Sequence, residues 1–155
     1  MFNKNWIMTT VFAIGALTAC VNTPSVPGSP KRRLEEYISR SFAVKSAADR
    51  QQLVSYLTGD AKGRLASWSD EQFLQAFMDS KRQFLKLALS EVKPISKDQV
   101  DITYELSYVD QGKGHDARVT NKKLCQMVRE NGQWMIKDVH NIKELVEYSD
   151  EMSLP

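Results

Sequence analysis

The sequence is poor in cysteine and has no excess of charge of either sign. Its two cysteines, Cys20 and Cys125, could form one bridge at most, which excludes the small domains that depend on a disulfide framework. Its 21 lysines and arginines are balanced by 19 aspartates and glutamates, giving a net charge of +2. Such a balance leaves no electrostatic footprint for DNA or RNA, so we expect no nucleic-acid partner.

The sequence also lacks an apolar run long enough to cross a membrane. The N-terminal run WIMTTVFAIGAL ends at Leu17, and Asn22 and Pro24 follow soon after. A membrane-spanning helix needs roughly 20 apolar residues. Because a single positive charge, Lys4, precedes the run, the layout is that of a signal peptide.

The quartet Leu17-Thr18-Ala19-Cys20 resembles the lipobox of bacterial lipoproteins, in which Leu lies three residues before the cysteine and a small residue directly before it. The resemblance implies cleavage after Ala19, a diacylglycerol on the Cys20 sulfur and an acyl chain such as palmitate on the new amino terminus. Two or more acyl chains hold a protein stably on a membrane. The alternative is an ordinary signal peptide, whose removal would leave Cys20 as a free thiol.

This resemblance predicts a location in the cell envelope. Val21 follows the cysteine in place of the Asp that commonly retains lipoproteins in the inner membrane. If the source has two membranes, the expected location is therefore the outer membrane, with the protein facing the periplasm.

Composition, together with the resemblance to a lipobox, predicts four segments along the chain. They are a signal peptide (1–19), the lipidated cysteine with a proline-rich linker (20–30), a single domain (31–148) and a tail (149–155). An extended polyproline linker rises about 3.1 Å per residue and could hold the domain roughly 30 Å from its lipid. The charges of Lys31, Arg32 and Arg33 fit either contact with anionic headgroups or a solvated first helical turn, and we favour the second.

The first half of the domain has the spacing of helices. Ser29 and Pro30 fit a helix start, and apolar residues follow at spacings of three and four as far as Phe42. A second helix is expected from Ser46 through Leu57, stopped by Gly59. A short turn of helix is expected over 60–65, and Ser69 with Gln72 predicts the capping box of a further helix.

The second half has the two-residue period of strands. The clearest is QVDITYELSYV over 99–109, which puts Tyr104 and Tyr108 on the same apolar face. Other strands are expected over 83–92, ended by Pro94, and over 117–129 and 134–139, with a hairpin turn at Asn131-Gly132. Cys125 should be buried, since both sides of its strand are apolar. The expected fold class is α+β, with N-terminal helices packed on a curved four-stranded antiparallel sheet.

The stretch ENGQWMIKDV, Glu130 to Val139, resembles the last hairpin of nuclear-transport-factor-2-like, cystatin-type domains, as does the order of helices before sheet. Several uncharacterised groups of bacterial lipoproteins share this body. The resemblance covers about residues 31–141 and implies a cone whose mouth holds a ligand, an active site or nothing.

Candidate pocket residues are Tyr104, Tyr108 and Trp134. Ketosteroid-isomerase-like and dehydratase members of the superfamily use a pocket Asp or His with a Tyr, and Asp138 and His140 offer those groups. These positions match no family motif, however. The plainer interpretation makes the tyrosines and Trp134 part of the core and places Asp138 and His140 on the polar side of the last strand or beyond its end.

Other motifs give no site. His115 and His140 have no metal-ligand spacing, and Ser90-Glu91-Val92-Lys93 lacks the partner motifs of serine acyl-enzymes. We therefore predict no catalytic residue, metal or cofactor.

Two functions remain open. The first is an envelope lipoprotein, anchored to the membrane through lipid on Cys20, with a non-catalytic domain that binds a ligand or another protein. Its candidate partners are an envelope protein, a small apolar ligand and a second copy of the chain. The alternative is an isomerase- or dehydratase-like enzyme using the cone pocket. An enzyme requires a pocket where an acid or a histidine meets Tyr104 or Tyr108, whereas a binding module is expected to show a filled cone or an exposed apolar patch.

Overall fold

The computed structural model describes residues 28–79, 81–114 and 116–148. The predicted signal peptide, the Cys20 attachment site, most of the linker, His115 and the tail lie outside these ranges. No helix within them is both long and apolar enough to span a membrane.

Within the described ranges, four α-helices precede the sheet. They are α1 (Pro30–Phe42), α2 (Arg50–Val54), α3 (Gly59–Ser67) and α4 (Asp70–Leu74). A 3₁₀ turn, Ala47–Asp49, leads into α2, and a π turn, Gln75–Asp79, follows α4. The predicted caps are confirmed: Ser29 Oγ accepts from the Arg32 N–H at 3.2 Å, and Ser69 and Gln72 form the reciprocal bonds of a capping box.

The sheet is a four-stranded antiparallel meander, which confirms the α+β class. Its strands, in spatial as well as chain order, are β1 (Arg82–Ser96), β2 (Gln99–Asp110), β3 (Arg118–Glu130) and β4 (Gln133–Glu147). The alternation predicted for β2 is confirmed, because every second side chain from Val100 to Tyr108 is buried. The β3–β4 turn has positive φ at Asn131 (50°) and Gly132 (78°), as a two-residue hairpin turn requires.

The predicted end of the second helix is wrong. The helix ends at Val54, and the chain then runs beside β4: the Ile136 N–H donates to the Tyr56 carbonyl at 2.9 Å, and the Thr58 N–H donates to the Ile136 carbonyl at 2.8 Å. Gly59, expected to stop a helix, begins α3 with φ +52°. Pairing with a strand has therefore replaced the last turn of the predicted helix.

The predicted limits of two strands are also wrong. Pro94 lies inside β1 rather than after it, which is tolerated because β1 is an edge strand with one neighbour. Irregularities in the β1–β2 register break the side-chain alternation, so Leu85 is 44% exposed. Strand β4 continues eight residues past the expected end at Val139, to Glu147, paired along its length with β3.

One hydrophobic core joins the helices to the inner face of the sheet. Its largest fully buried side chains include Leu34, Leu53 and Phe73 from the helices and Ile102, Met127 and Ile136 from the strands. The burial predicted for Cys125 is confirmed, since its exposure is 0%. Arg33 is engaged by the protein itself: its guanidinium carbon lies 4.0 Å from the Tyr56 ring centroid, and its Nε donates to the Trp134 carbonyl.

Candidate functional site

An open cavity of about 640 Å³ lies between the helices and the sheet. Its lining comes from α1, α3, the π turn and all four strands. Much of the wall is aromatic, including the side chains of Tyr37, Phe42, Trp68, Phe77 and Tyr104. Pockets that take small molecules have volumes of about 300 to 1,000 Å³ and a mainly apolar wall with a few polar groups. The cavity has the size and character of a ligand site.

The charges on the wall are all positive. Arg64, Arg82 and Lys123 line the cavity, and no aspartate or glutamate is among its described lining residues. His140 also lies on the wall. The cavity therefore combines an apolar surface with positively charged side chains that no acidic residue of its described lining balances.

Arg82, the first residue of β1, is enclosed by rings. Its guanidinium carbon lies 5.1 Å from the ring centroids of both Phe42 and Phe77 and 5.8 Å from that of Tyr108. Its Nε and Nη2 are shielded from solvent, and neither has a hydrogen-bond partner in the structure. Burial lowers the pKa of Arg82, against the opposite effects of Tyr108 and Asp110. The side chain still carries its charge at neutral pH, because an arginine in a protein does not lose its proton.

Lys123 lies on the same inner face, from β3. Burial lowers its pKa, and the charge of Arg82 lowers it further, whereas Glu144 raises it. Glu144 itself accepts from Lys113 Nζ at 2.8 Å. Within the described ranges Lys123 forms no ion pair of its own.

The third cation, Arg64, is neutralised at the cavity rim. Its Nη2 donates to Asp138 Oδ1, and the other oxygen, Asp138 Oδ2, lies 2.9 Å from His140 Nε2. The bond from Arg64 is the main reason that the pKa of Asp138 is lowered; the Val139 N–H contributes, whereas desolvation opposes it. Asp138 is only 8% exposed. It lies within β4, where it pairs with Gln126 of β3.

Of the three predicted pocket residues, Tyr104 lines the cavity. It is 4% exposed, and burial raises its pKa. Tyr108 packs beside the cavity, where its hydroxyl accepts from Asn121 Nδ2 at 3.2 Å. Trp134 lies elsewhere in the core, with the Arg129 guanidinium 4.7 Å from its ring centroid.

Lys123 and Arg82 were missed as cavity residues from the sequence, although the pattern of β3 indicates Lys123. Counting back along β3 from Met127 and Cys125 by twos places Lys123 and Asn121 on the inner face. A lysine on an otherwise apolar face is unusual and marks a possible binding group. Arg82 could not be recognised in this way. The register irregularities of β1 interrupt the side-chain alternation that would show which of its residues point inward.

The remaining sequence motifs stay outside the cavity. Ser90 is exposed and donates to the Thr103 carbonyl at 3.0 Å. Within the described ranges no three His, Cys, Asp or Glu side chains come together as a metal site would require. Comparison with known proteins adds no assignment, since neither a protein-family model nor a curated protein matches this sequence.

Proposed function

We propose that this chain is a lipoprotein of the cell envelope whose α+β domain binds a small molecule in the cavity between helices and sheet. The observation that carries the proposal is the cavity, with its size, its aromatic wall and its unbalanced polar groups. The lipobox-like quartet ending at Cys20 supports the anchor.

The order of elements supports a nuclear-transport-factor-2-like, cystatin-type body. Helices come first and a four-stranded meander follows, as in that superfamily. In a body of that type, the cavity between helices and sheet would be the interior of a cone and the ligand site its mouth.

Binding of a neutral fluorescent probe, N-phenyl-1-naphthylamine, tests the proposal. The protein is the processed chain, residues 20–155, with Cys20→Ser; the described core lies wholly within it. The further change Trp134→Phe leaves Trp68, on the cavity wall, as the only tryptophan. We expect saturable 1:1 binding with energy transfer from Trp68 to the probe.

A matched pair of variants on α3 locates the bound probe. Ala61 lines the cavity and Ala66 is exposed, so Ala61→Phe should abolish probe binding and Ala66→Phe should preserve it. Circular dichroism checks that both variants are folded. Equal binding by the two variants would overturn the proposal, and so would a parent protein that binds neither the probe nor decanoate.

One observation favours a second function, proton transfer by an isomerase-like enzyme. His140 and Tyr104 both line the cavity, and His140 contacts the buried Asp138. Deuterium exchange at the α-carbons of cyclohexanone, followed by NMR in D₂O, separates the two functions. A binding domain leaves the exchange rate unchanged, whereas an enzyme accelerates it and loses the effect in His140→Gln.

A further inference from the structure

The cavity wall brings together two cations that form no ion pair with a described residue. Arg82 comes from β1 and Lys123 from β3, and the positive charge of Arg82 disfavours the charged form of Lys123. Like charges in a partly buried space repel each other, and buried charges in proteins are normally paired. The two side chains therefore favour an anion near them.

The acidic groups nearest to the two cations are engaged elsewhere. Asp110, opposite Arg82 in the sheet, accepts from the Gly112 N–H at 3.0 Å and forms no ion pair with Arg82. Glu144 forms an ion pair with Lys113. Asp138 forms an ion pair with Arg64 and contacts His140. Among the described residues, no carboxylate forms an ion pair with Arg82 or Lys123, although Asp110 and Glu144 favour their charged forms.

We propose that the ligand of this cavity is an organic acid, a molecule with an apolar body and one anionic group, and that Arg82 and Lys123 hold the anionic group. This inference rests on the ligand-binding function proposed above. An anion between the two side chains offsets the repulsion between their positive charges. Arginine presents a planar fork to a carboxylate, and lysine adds a point charge.

The rest of the wall defines the body of the ligand. Leu65, Trp68 and Phe77 present carbon surface to the cavity. A small inorganic anion would leave most of this surface and most of the 640 Å³ unfilled. An apolar chain or ring attached to the acid group fills both.

Displacement of N-phenyl-1-naphthylamine by two matched competitors tests the inference. Decanoate and decanol have the same chain length and differ in charge. Below its micelle concentration, decanoate should displace the probe at about tenfold lower concentration than decanol or better, because hydrogen bonds to charged groups are worth at least that factor.

Variants identify the groups responsible. Arg82→Met and Lys123→Met should each bring the two competitors close to equal potency while probe binding persists. Lys93→Met is the matched control, since Lys93 is an exposed residue of β1 and should keep the preference for decanoate. Thermal unfolding checks the fold of each variant; if Arg82→Met is unfolded, Lys123→Met on β3 decides.

The outcomes separate this inference from the proposed function. Probe binding with no preference for decanoate, or a preference that survives the Lys123 change and any folded Arg82 variant, overturns the organic-acid inference and leaves ligand binding intact. If the probe does not bind, decanoate is titrated directly against Trp68 fluorescence. Absence of binding there overturns both proposals.

Discussion

Trp134 and Tyr108 illustrate how differently two buried aromatic residues contribute. The Trp134 ring lies in the core with the Arg129 guanidinium over it. The Trp134 carbonyl accepts a hydrogen bond from Arg33. Trp134→Ala should lower the free energy of unfolding by about 3 kcal/mol or more through cavity formation. Tyr108→Phe removes one hydrogen bond, with Asn121, and should cost about 1 kcal/mol or less.

Urea unfolding followed by circular dichroism measures both changes. Tyr104→Phe serves as the comparison within the cavity and should also cost about 1 kcal/mol or less. Comparable losses for Trp134→Ala and Tyr108→Phe would contradict a structural role for the indole ring.

Asp138 makes stability depend on pH. Its pKa lies below the ordinary 3.8 in the folded protein, first because Arg64 donates to it. A lowered folded-state pKa gives stability that is fully present above the unfolded-state value and is lost as pH falls through the folded-state value. The difference in unfolding free energy between the parent and Asp138→Asn should therefore be constant above about pH 5 and shrink below pH 3.8.

Chemical unfolding at a series of pH values tests this expectation. A His140→Gln background removes the imidazole that contacts Asp138. A difference for Asp138→Asn that stays the same down to pH 2 would exclude the carboxylate as its source.

At the scale of elements, replacing each of two glycines by alanine is expected to change the stability of the protein in opposite directions. Gly132 has φ +78° in the β3–β4 turn, a conformation that costs an L-residue about 1 kcal/mol or more, so Gly132→Ala should destabilise the protein by that amount. Gly63 lies inside α3, and a Cβ there would meet nothing within 4 Å. Gly63→Ala should raise stability by about 0.5 to 1 kcal/mol.

Thermal unfolding of the two single variants and of the double variant measures these effects. The two sites are in separate elements, so the double variant should show nearly the sum of the single changes. A stabilising Gly132→Ala would contradict the turn geometry.

Elements whose signals are local could be predicted from the sequence. Ser29 and Ser69 began their helices as expected, the alternation of β2 gave its buried face, and Asn131-Gly132 gave the turn. Each of these features depends on a few residues that are neighbours in the sequence, so a single sequence was enough to predict it.

The errors lie where distant pairing decides the structure. Tyr56 lies outside a helix, contrary to the prediction, because its backbone and that of Thr58 form hydrogen bonds with Ile136 of β4. Strand β4 extends to Glu147 through backbone pairing with β3, although Ile142 and Leu145 remain exposed and give no alternating pattern. In both cases the residues that decide the structure are distant in sequence from the residues whose conformation they determine.

At the scale of the whole molecule, the candidate site is assembled from residues far apart in sequence. Tyr37, Arg82 and Lys123 reach one cavity from α1, β1 and β3. The sequence could nominate Tyr104 through its strand face, but a cavity depends on how side chains from separate elements fill the space between them. The charge balance of the whole chain, +2, likewise gives no sign of three cations on one wall.

The membrane anchor is a property of the whole molecule that one cysteine is expected to decide. The quartet ending at Cys20 resembles a lipobox, whereas Cys125 is a buried thiol of β3. Because stable anchoring needs two or more acyl chains, Cys20→Ser should leave protein that is uncleaved or lacks lipid, and Cys125→Ser should remain lipidated and membrane-bound. Intact-mass analysis of membrane-extracted protein measures the modification directly. An unmodified Cys20 sulfur in the parent protein, or equal membrane retention of lipid-free Cys20→Ser, would refute the anchor while leaving the cavity and its proposed acid ligand untouched.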